Sequence, residues 1–415
     1  MTAQISRAEP PPLDVAEDTV RRAYLEDTPV GRWRLADEAA LLCRKLVQAN
    51  PRDPRAYHLL ADALAMSDPT RPDHCRPVEC AEAVEVLRQG RAQDAFRLDE
   101  RGFSFELGIV LSRLGRFQEA LAEYDRGARL ETFDTPAWYA ENHYAEERRH
   151  SRAILNGNAA ESLMALGRLE ESIARYRRAE ELSSPGEEEW ELAEWGLGVS
   201  LDRDGQGDKA KEAVERALSV DPAMQRLRSE HVFFEPPGDV DYYLALGHEV
   251  AYRQLKAPLD RARAVAAWRR FVAHPGVQRP FLERAQRHLV DLAPAPSVVP
   301  PEVEILNVAH VNNEPRLRAD AEVVSFLRRS AGDLQLCLAR AQAEKPGIAG
   351  ALNVVVSISW IGDVEAQVFN NPLDSPLLGS CIQRVLGLSR MRPLPTPRGN
   401  TRAADVFVAA LRLSP

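Results

Sequence analysis

Small and apolar residues recur three or four positions apart between residues 105 and 132, where they predict two short amphipathic helices. The residues that share a face are Leu107, Gly108 and Leu111 in the first helix and Ala120, Tyr124 and Gly127 in the second. Gly115 falls between the two helices, in the position of a turn. A pair of this kind cannot bury its apolar face alone, so the pattern predicts that several pairs stack on one another.

The same spacing returns on both sides of this stretch. Further copies cover residues 39–90, 136–182, 190–222 and 243–271, and residues 279–292 have the pattern of a closing helix. These spacings resemble the tetratricopeptide repeat, a helix-turn-helix unit that occurs in stacks. We therefore expect a mostly α protein in which a tetratricopeptide-type α-solenoid spans residues 31–292, preceded by a flexible leader over residues 1–30.

The pattern changes after a proline-rich stretch, residues 293–302, which predicts a linker. Beyond it, the residues that alternate with smaller or polar ones, as in a strand with one buried face, are Leu352, Val354, Val356, Ile358 and Trp360. A helix is predicted before this strand, a hairpin at Gly362, a second helix from Ser375–Pro376 and a last strand to Leu413. Residues 303–415 are therefore expected to form a small α+β domain that folds independently of the solenoid.

Several short motifs in this second domain carry a resemblance. They are Cys337, the Pro346–Gly350 stretch, Gly362-Asp363-Val364, Cys381 and the Arg392–Pro395 stretch. Together they resemble the TonB-like C-terminal domain of gliding-motility proteins of the AgmX/PglI type. The resemblance implies a protein-binding module of envelope-spanning machinery.

In the resembled family, Cys337 and Cys381 occupy positions suited to a bridge between two helices. Both helices have to cover the same face of the sheet, so the two thiols can approach within bonding distance. The N-terminus has neither a basic start nor an apolar core of the signal-peptide type, which predicts a cytoplasmic protein with reduced thiols.

Residues one turn away from the packing face of each first helix are expected to line a groove that binds a partner peptide or helix. By register these residues are His58, Asp62, Phe105, Ile109, Arg113, Glu161, Met164, Trp195, Val199, Arg203, His248 and Tyr252. Trp195 and Arg203 are predicted to face the groove, whereas Leu197 and Leu201 are predicted to be core residues. The alternative is that such side chains pack against neighbouring repeats.

The charge balance argues against a nucleic-acid partner, because the formal net charge is −9 and the many arginines are interleaved with acids. No uninterrupted apolar run is long enough to span a bilayer, so direct membrane insertion is not expected. The partners should therefore be other proteins, one in the groove and a second at the C-terminal domain.

Two groups of residues have types that bind metals. His74, Cys75 and Cys80 lie in one loop, but their spacing is loose and we expect solvated thiols. His143, Glu147 and His150 lie on one charge-rich predicted helix, for which a solvated face is expected. No nucleotide-binding or nucleophile motif is present, and no cofactor is predicted. The sequence favours a non-catalytic scaffold, with an energy-transducing or periplasmic envelope component and a metal-dependent enzyme as alternatives.

Overall fold

The computed structural model of the chain describes residues 12–26, 28–70, 74–94, 100–129, 143–229, 232, 234–292, 299–311, 317–369, 371–394 and 404–414. These residues form two compact units. The N-terminal unit consists of the described residues up to Ser184 together with residues 234–237. The C-terminal unit consists of the remaining described residues from Pro185 onward.

Helices account for all the regular secondary structure that the structure describes in the N-terminal unit, and consecutive helices pack as pairs. They are α1 Leu13–Tyr24, α2 Pro29–Ala49, α3 Pro54–Ala65, α4 Pro77–Gln93, α5 Glu100–Arg113, α6 Phe117–Arg129, α7 His143–Ala165 and α8 Leu169–Glu181. Their buried side chains form one apolar core from Ala16 to Leu163. The predicted solenoid of stacked helix pairs is confirmed.

The C-terminal unit starts with further helix pairs and ends with a sheet domain. Its helices are α9 Glu188–Arg203, α10 Gly207–Val220, α11 Asp239–Leu255, α12 Pro258–Ala273, α13 Arg279–Leu292, α14 Asp320–Arg329, α15 Ala331–Glu344 and α16 Pro376–Leu388. Its strands are β1 Glu302–His310, β2 Gly350–Ser359, β3 Val364–Phe369 and β4 Ala404–Ser414. A 3-10 turn at Arg226–Arg228 precedes α11.

Three turns between paired helices have the same backbone structure. Gly115, Gly167 and Gly205 each have a positive φ, between 69° and 83°. The amide of the residue after each glycine donates to a carbonyl five positions back, as in Arg116 N to Leu111 O at 2.9 Å. This pattern ends a helix with a left-handed residue, a conformation that glycine adopts without strain. The turn glycines of the repeats are therefore where the sequence predicted them.

Small residues allow the paired helices to approach closely. A Cβ at Gly108 would overlap the Tyr124 ring, and a Cβ at Gly198 would lie 2.6 Å from the Val214 side chain. Gly108 and Gly198 occupy equivalent positions in the pairs α5–α6 and α9–α10. Any larger residue there would force the two helices apart.

Residues 13–24, within the stretch expected to be a flexible leader, form helix α1. Its Ala16, Val20 and Ala23 are buried in the core and α1 packs against α2. The prediction of a flexible leader is wrong for residues 13–24, because the small apolar residues on one face of α1 are enough to hold this helix against α2. Residues 1–11 lie outside the described part of the chain.

The C-terminal sheet is antiparallel, with strand order β1-β4-β2-β3. The predicted strands correspond to β2, β3 and β4, and α16 begins at Pro376 with the Ser375 hydroxyl accepting from the Leu378 amide at 3.2 Å. The small α+β architecture is confirmed. Strand β1 was not predicted, and the single predicted helix before β2 is divided into α14 and α15.

The sheet domain shares a core with the helix pairs of the same unit. Ala223 and Leu259 belong to the apolar cluster that fills the space beneath the sheet. Helix α15 contacts α11 and α12, where Arg340 Nε lies 2.9 Å from Asp260 Oδ2. The sequence boundary at residues 293–302 therefore joins two parts that are packed together, and independent folding of residues 303–415 stays a prediction.

Candidate functional site

Five ionisable side chains lie together on the first helices of successive pairs in the N-terminal unit. We call this set the inner-face cluster, and its members are His58 and Asp62 on α3, Glu106 and Arg113 on α5, and Glu161 on α7. All five are half-buried. Four of them were predicted groove residues, and Glu106 was missed because it lies one position beyond the register used for the others.

Contacts between helices hold the cluster in place. His58 Nδ1 lies 2.8 Å from Glu106 Oε1, and the imidazole stacks on the Phe103 ring with a centroid distance of 3.8 Å. Arg113 Nη1 donates to the Ala65 carbonyl at 3.3 Å, at the end of α3. Each of these contacts joins α3 to α5, so the polar groups are fixed by the stacking of the repeats.

The cluster strongly changes the acidity of one carboxyl group. Burial and the nearby Glu106 carboxylate raise the pKa of Asp62 to about 7, against the opposing effects of His58, Tyr24 and Arg113. Asp62 therefore keeps its proton to a higher pH than an exposed aspartate does. A groove with such a group can accept either a hydrogen-bond acceptor or a cation, depending on protonation.

Apolar side chains accompany these charges. Phe105 and Ile109 on α5 are half-buried, whereas Met164 on α7 is fully buried and is a packing residue. Mixed apolar and charged surface of this kind is suited to a peptide or an amphipathic helix. In the N-terminal unit, the structure thus brings six of the seven predicted groove residues to one partly accessible face.

The predicted groove residues of the C-terminal unit have a different environment. Trp195, Val199, Arg203 and His248 are buried, and Tyr252 is half-buried. The Trp195 ring would lie 3.0 Å from a Cβ at Gly247, so it packs between α9 and α11. The expectation that Trp195 and Arg203 face an open groove is not met, although Leu197 and Leu201 are buried as expected.

Arg203 is buried because an acid and aromatic rings surround it. Its guanidinium donates to both Asp239 carboxylate oxygens at 2.9 and 3.0 Å and lies over the rings of Tyr242 and Phe281. A paired arginine on aromatic faces is a common way to bury a cation. Arg203 therefore contributes to packing within the unit.

His248 is buried beside a carboxylate that belongs to a second ion pair. Its Nδ1 lies 2.9 Å from Asp260 Oδ1, and Arg340 binds the same carboxylate with Nε and Nη2 at 2.9 and 3.0 Å. Burial would raise the pKa of Asp260, but Arg340 and His248 lower it to about 2. Arg340, on helix α15 of the sheet domain, thus supplies the positive charge that pairs with the buried Asp260 carboxylate on α12.

A further buried ionic cluster in the C-terminal unit was not predicted. His288 lies between two acids, with Nε2 3.0 Å from Asp202 Oδ2 and Nδ1 2.9 Å from Glu249 Oε2, and Arg284 also pairs with Asp202. Burial opposes protonation, yet hydrogen bonds to the two carboxylates raise the pKa of His288 to about 9. Each acid has a cationic partner, so the cluster is a structural network.

The loop with His74, Cys75 and Cys80 does not contain solvated thiols. Cys75 and Cys80 are bonded to each other and are buried in the core of the N-terminal unit. A disulfide removes both thiolates as zinc ligands. In the part of the chain that the structure describes, no group of three or more His, Cys, Asp or Glu residues is placed to hold a metal ion.

Two other sequence predictions concern cysteines and histidines. Cys337 on α15 and Cys381 on α16 form a disulfide with a Cα–Cα distance of 5.6 Å, so the two helices do cover the same sheet face. The side chains of His143 and Glu147 lie outside the described residues. Among the described helices, none has the length and apolar character required to cross a bilayer.

Comparisons with known proteins find the repeat architecture only among solved structures. No family model and no curated protein sequence matches the chain. The chain is similar to PilF of Pseudomonas aeruginosa, with 14% identity and a TM-score of 0.40 over 67% of this chain and 99% of that one. It is also similar to PilW, a type IV pilus biogenesis factor, with 16% identity and a TM-score of 0.38 over 66% and 98% of the two chains.

A third similar structure is YrrB, described as a TPR protein with an unusual peptide-binding site. It shares 14% identity with a TM-score of 0.33, over 59% of this chain and 97% of that one. The chain is similar to these proteins in part of its fold.

Proposed function

We propose that this chain is a non-catalytic scaffold that binds other proteins, with its first partner at the inner-face cluster. The observation that carries the proposal is the burial contrast among the predicted groove residues. In the N-terminal unit all but Met164 are half-buried and most are ionisable, whereas in the C-terminal unit all but Tyr252 are buried within the unit.

The inner-face cluster has the chemistry of a peptide site. Its charges are held by neighbouring helices, as in the 2.8 Å contact of His58 with Glu106, and Phe105 and Ile109 add apolar area. Preorganised polar groups lower the ordering cost of binding, and the apolar side chains supply area to be buried. An extended peptide or one face of a helix fits this combination.

A metal-dependent enzyme remains the alternative from another class. The loop with His74, Cys75 and Cys80 has no free thiolate to bind a metal, because Cys75 and Cys80 are bonded to each other. Elemental analysis of the purified full chain would support the enzyme alternative if it found a stoichiometric transition metal.

The scaffold proposal is tested by removing a charge of the inner-face cluster. Arg113→Ala should abolish recovery of a specific partner when the tagged full chain is purified from its own cells. The matched control is Arg178→Ala, since Arg178 is exposed on α8 and pairs only locally with Glu181 at 2.8 Å. Equal recovery by both variants, at unchanged melting temperatures, would contradict the proposed site.

The envelope alternative is favoured over a cytoplasmic scaffold by one observation, the presence of two disulfides. Cys75–Cys80 and Cys337–Cys381 are both bonded, and such bonds persist in oxidising compartments. We propose that the scaffold works in an oxidising envelope compartment, in motility or related machinery as the TonB-like resemblance implies. Mass spectrometry of rapidly alkylated cells should find both pairs linked, whereas free thiols would favour the cytoplasm.

The second partner is proposed to bind the C-terminal sheet at β3. Among the described residues this strand pairs with β2 alone, and Phe369 at its end is 57% exposed. A partner strand could add to this edge by main-chain hydrogen bonds. Replacing Ala366 by proline would remove one edge amide, because the ladder with β2 uses the amides of the alternate residues, and should weaken binding of that partner only.

A further inference from the structure

A short segment far along the chain belongs to the N-terminal unit. The rest of that unit ends at Ser184, but residues 234–237 pack with it and not with the unit that flanks them in sequence. These residues, Phe-Glu-Pro-Pro, have no helix or strand. They therefore lie on the stacked helix pairs as an irregular segment with a bend at Glu235 and Pro236.

Two side chains of the segment are buried and two are not. Phe234 is 7% exposed and Glu235 is 6% exposed, whereas Pro236 and Pro237 are exposed. Burying a carboxylate is costly unless a partner compensates it, and Glu235 Oε1 lies 3.2 Å from His74 Nε2. The burial of a charged residue with a specific partner indicates a seated segment.

The segment lies where the first helices of the pairs end, next to the inner-face cluster. His74 is in the connection that follows α3, and Arg113 reaches the carbonyl of Ala65 at the end of that helix. Burial raises the pKa of the Tyr124 phenol, and the carboxylates of Glu161 and Glu235 both raise it further. Glu235 is therefore close to the same tyrosine as Glu161 and Arg113.

We propose that residues 234–237 are an internal ligand of the N-terminal unit, and that its external partner is a peptide in which an aromatic residue precedes an acidic one. The aromatic ring would take the place of Phe234 and the acid would pair with His74. This inference rests on the proposed function, because it specifies the peptide that the groove receives.

An internal ligand changes how the partner binds. A tethered segment is present at an effective concentration of the order of millimolar, so an external peptide has to displace it. The partner peptide therefore binds the intact chain more weakly than it would bind an empty groove. Binding would also release Phe234 and Glu235 from the repeats.

The test uses a peptide with the sequence of residues 229–240, labelled with a fluorophore, and the full chain. The release variant, Phe234→Ala/Glu235→Gln, should bind this peptide at least roughly tenfold more tightly than the wild-type chain. Adding His74→Ala to the release variant should weaken binding by roughly tenfold or more, since the peptide carboxylate loses its partner. Arg178→Ala, at an exposed position of α8 outside the segment, is the matched control and should bind like wild type.

A second measurement needs no variant. When excess peptide is added to the wild-type chain, the amides of Phe234 and Glu235 should exchange hydrogen faster, because the internal segment is displaced. Peptide binding that leaves their exchange unchanged would overturn the proposal. So would equal peptide affinity of the release variant and wild type.

Selection of random phage-displayed peptides on the release variant tests the scaffold proposal and the internal-ligand inference separately. Selected peptides that share an aromatic-acidic pair and lose binding with Arg113→Ala support both. Peptides that depend on Arg113 but lack the pair would overturn the internal-ligand inference and leave the scaffold proposal standing. Failure to select any Arg113-dependent peptide would contradict the proposed function itself.

Discussion

The side chains of His58 and Glu106 are in polar contact between two successive first helices of the N-terminal unit, with 2.8 Å between Nδ1 and Oε1. The pair lies one turn from the packing face, where a solenoid does not need charge for its core. Together with Arg113 it sets the electrostatic environment of Asp62. The core of the solenoid does not require charged residues at these positions, and the chain places a defined set of charges there.

Asp62 should make the stability of the N-terminal unit depend on pH. Its folded-state pKa of about 7 is above the ordinary value of 3.8, so the folded chain holds a proton that the unfolded chain has lost. The free energy of unfolding should therefore decrease as pH rises from about 4 through 7. Asp62→Asn should remove this decrease and be more stable than wild type at pH 8, by about 1 to 4 kcal/mol.

Urea unfolding at pH 4, 6 and 8 measures this difference. Asp18→Asn, at an exposed residue of α1, is the control and should shift the curve little at any pH. If the Asp62 and Asp18 variants had the same pH dependence as wild type, the raised pKa of Asp62 would be wrong.

Arg340 should be essential for the stability of the C-terminal unit. Arg340→Ala leaves the buried Asp260 carboxylate without its guanidinium partner, which typically costs about 3 to 5 kcal/mol. Arg412→Ala is the matched control, because Arg412 on β4 pairs with Glu304 on β1, both side chains are exposed, and such pairs contribute below about 1 kcal/mol. Thermal melting of the full chain would show whether the two variants differ as expected.

The close packing of α9 and α11 predicts opposite effects for two glycine substitutions. Gly247→Ala should destabilise the chain by about 1 to 3 kcal/mol, because the added Cβ meets Met224 and the Trp195 ring. Gly157→Ala, on α7, meets no atom within 4 Å and should stabilise by about 0.5 to 1 kcal/mol through helix propensity. Destabilisation by both would show that Trp195 is not the cause.

The Cys337–Cys381 bond should contribute more stability than the Cys75–Cys80 bond. The sequence separations are 44 and 5 residues, which correspond to about 4 and about 2 kcal/mol in the chain-entropy account. Cys381→Ser and Cys80→Ser, compared by denaturant unfolding without reductant, should follow that order. Variants as stable as the oxidised wild type would mean that the bonds do not form in solution.

The repeat architecture was predictable because it depends on local rules. Turn glycines such as Gly115 and the small residue Gly108 have steric reasons for their positions, and Ser375–Pro376 is a local signal for the start of α16. Strand β1 escaped prediction because it is an edge strand that pairs only with β4 and has one fully buried residue, Val308. Its apolar pattern is correspondingly weak.

The accessibility of the groove could not be predicted from register. Register places His248 and His58 on equivalent faces, but only the fold shows that Asp260 and Arg340 enclose the first. Arg340 lies 80 positions beyond Asp260, and no local pattern links the two residues. The contact of Glu235 with His74 could not be predicted from the sequence either, because the burial of a single acid depends on the packing of the whole unit.

The central claim, that the inner face of the N-terminal unit binds a protein partner, is tested most directly by photocrosslinking in cells. A photoreactive amino acid replaces Ile109, which is half-buried beside the cluster, or Val78, which is 75% exposed on α4. The account predicts a discrete adduct with one partner at position 109 that Arg113→Ala removes, and no such adduct at position 78. Absence of an adduct at 109, or the same adduct at both positions, would contradict it.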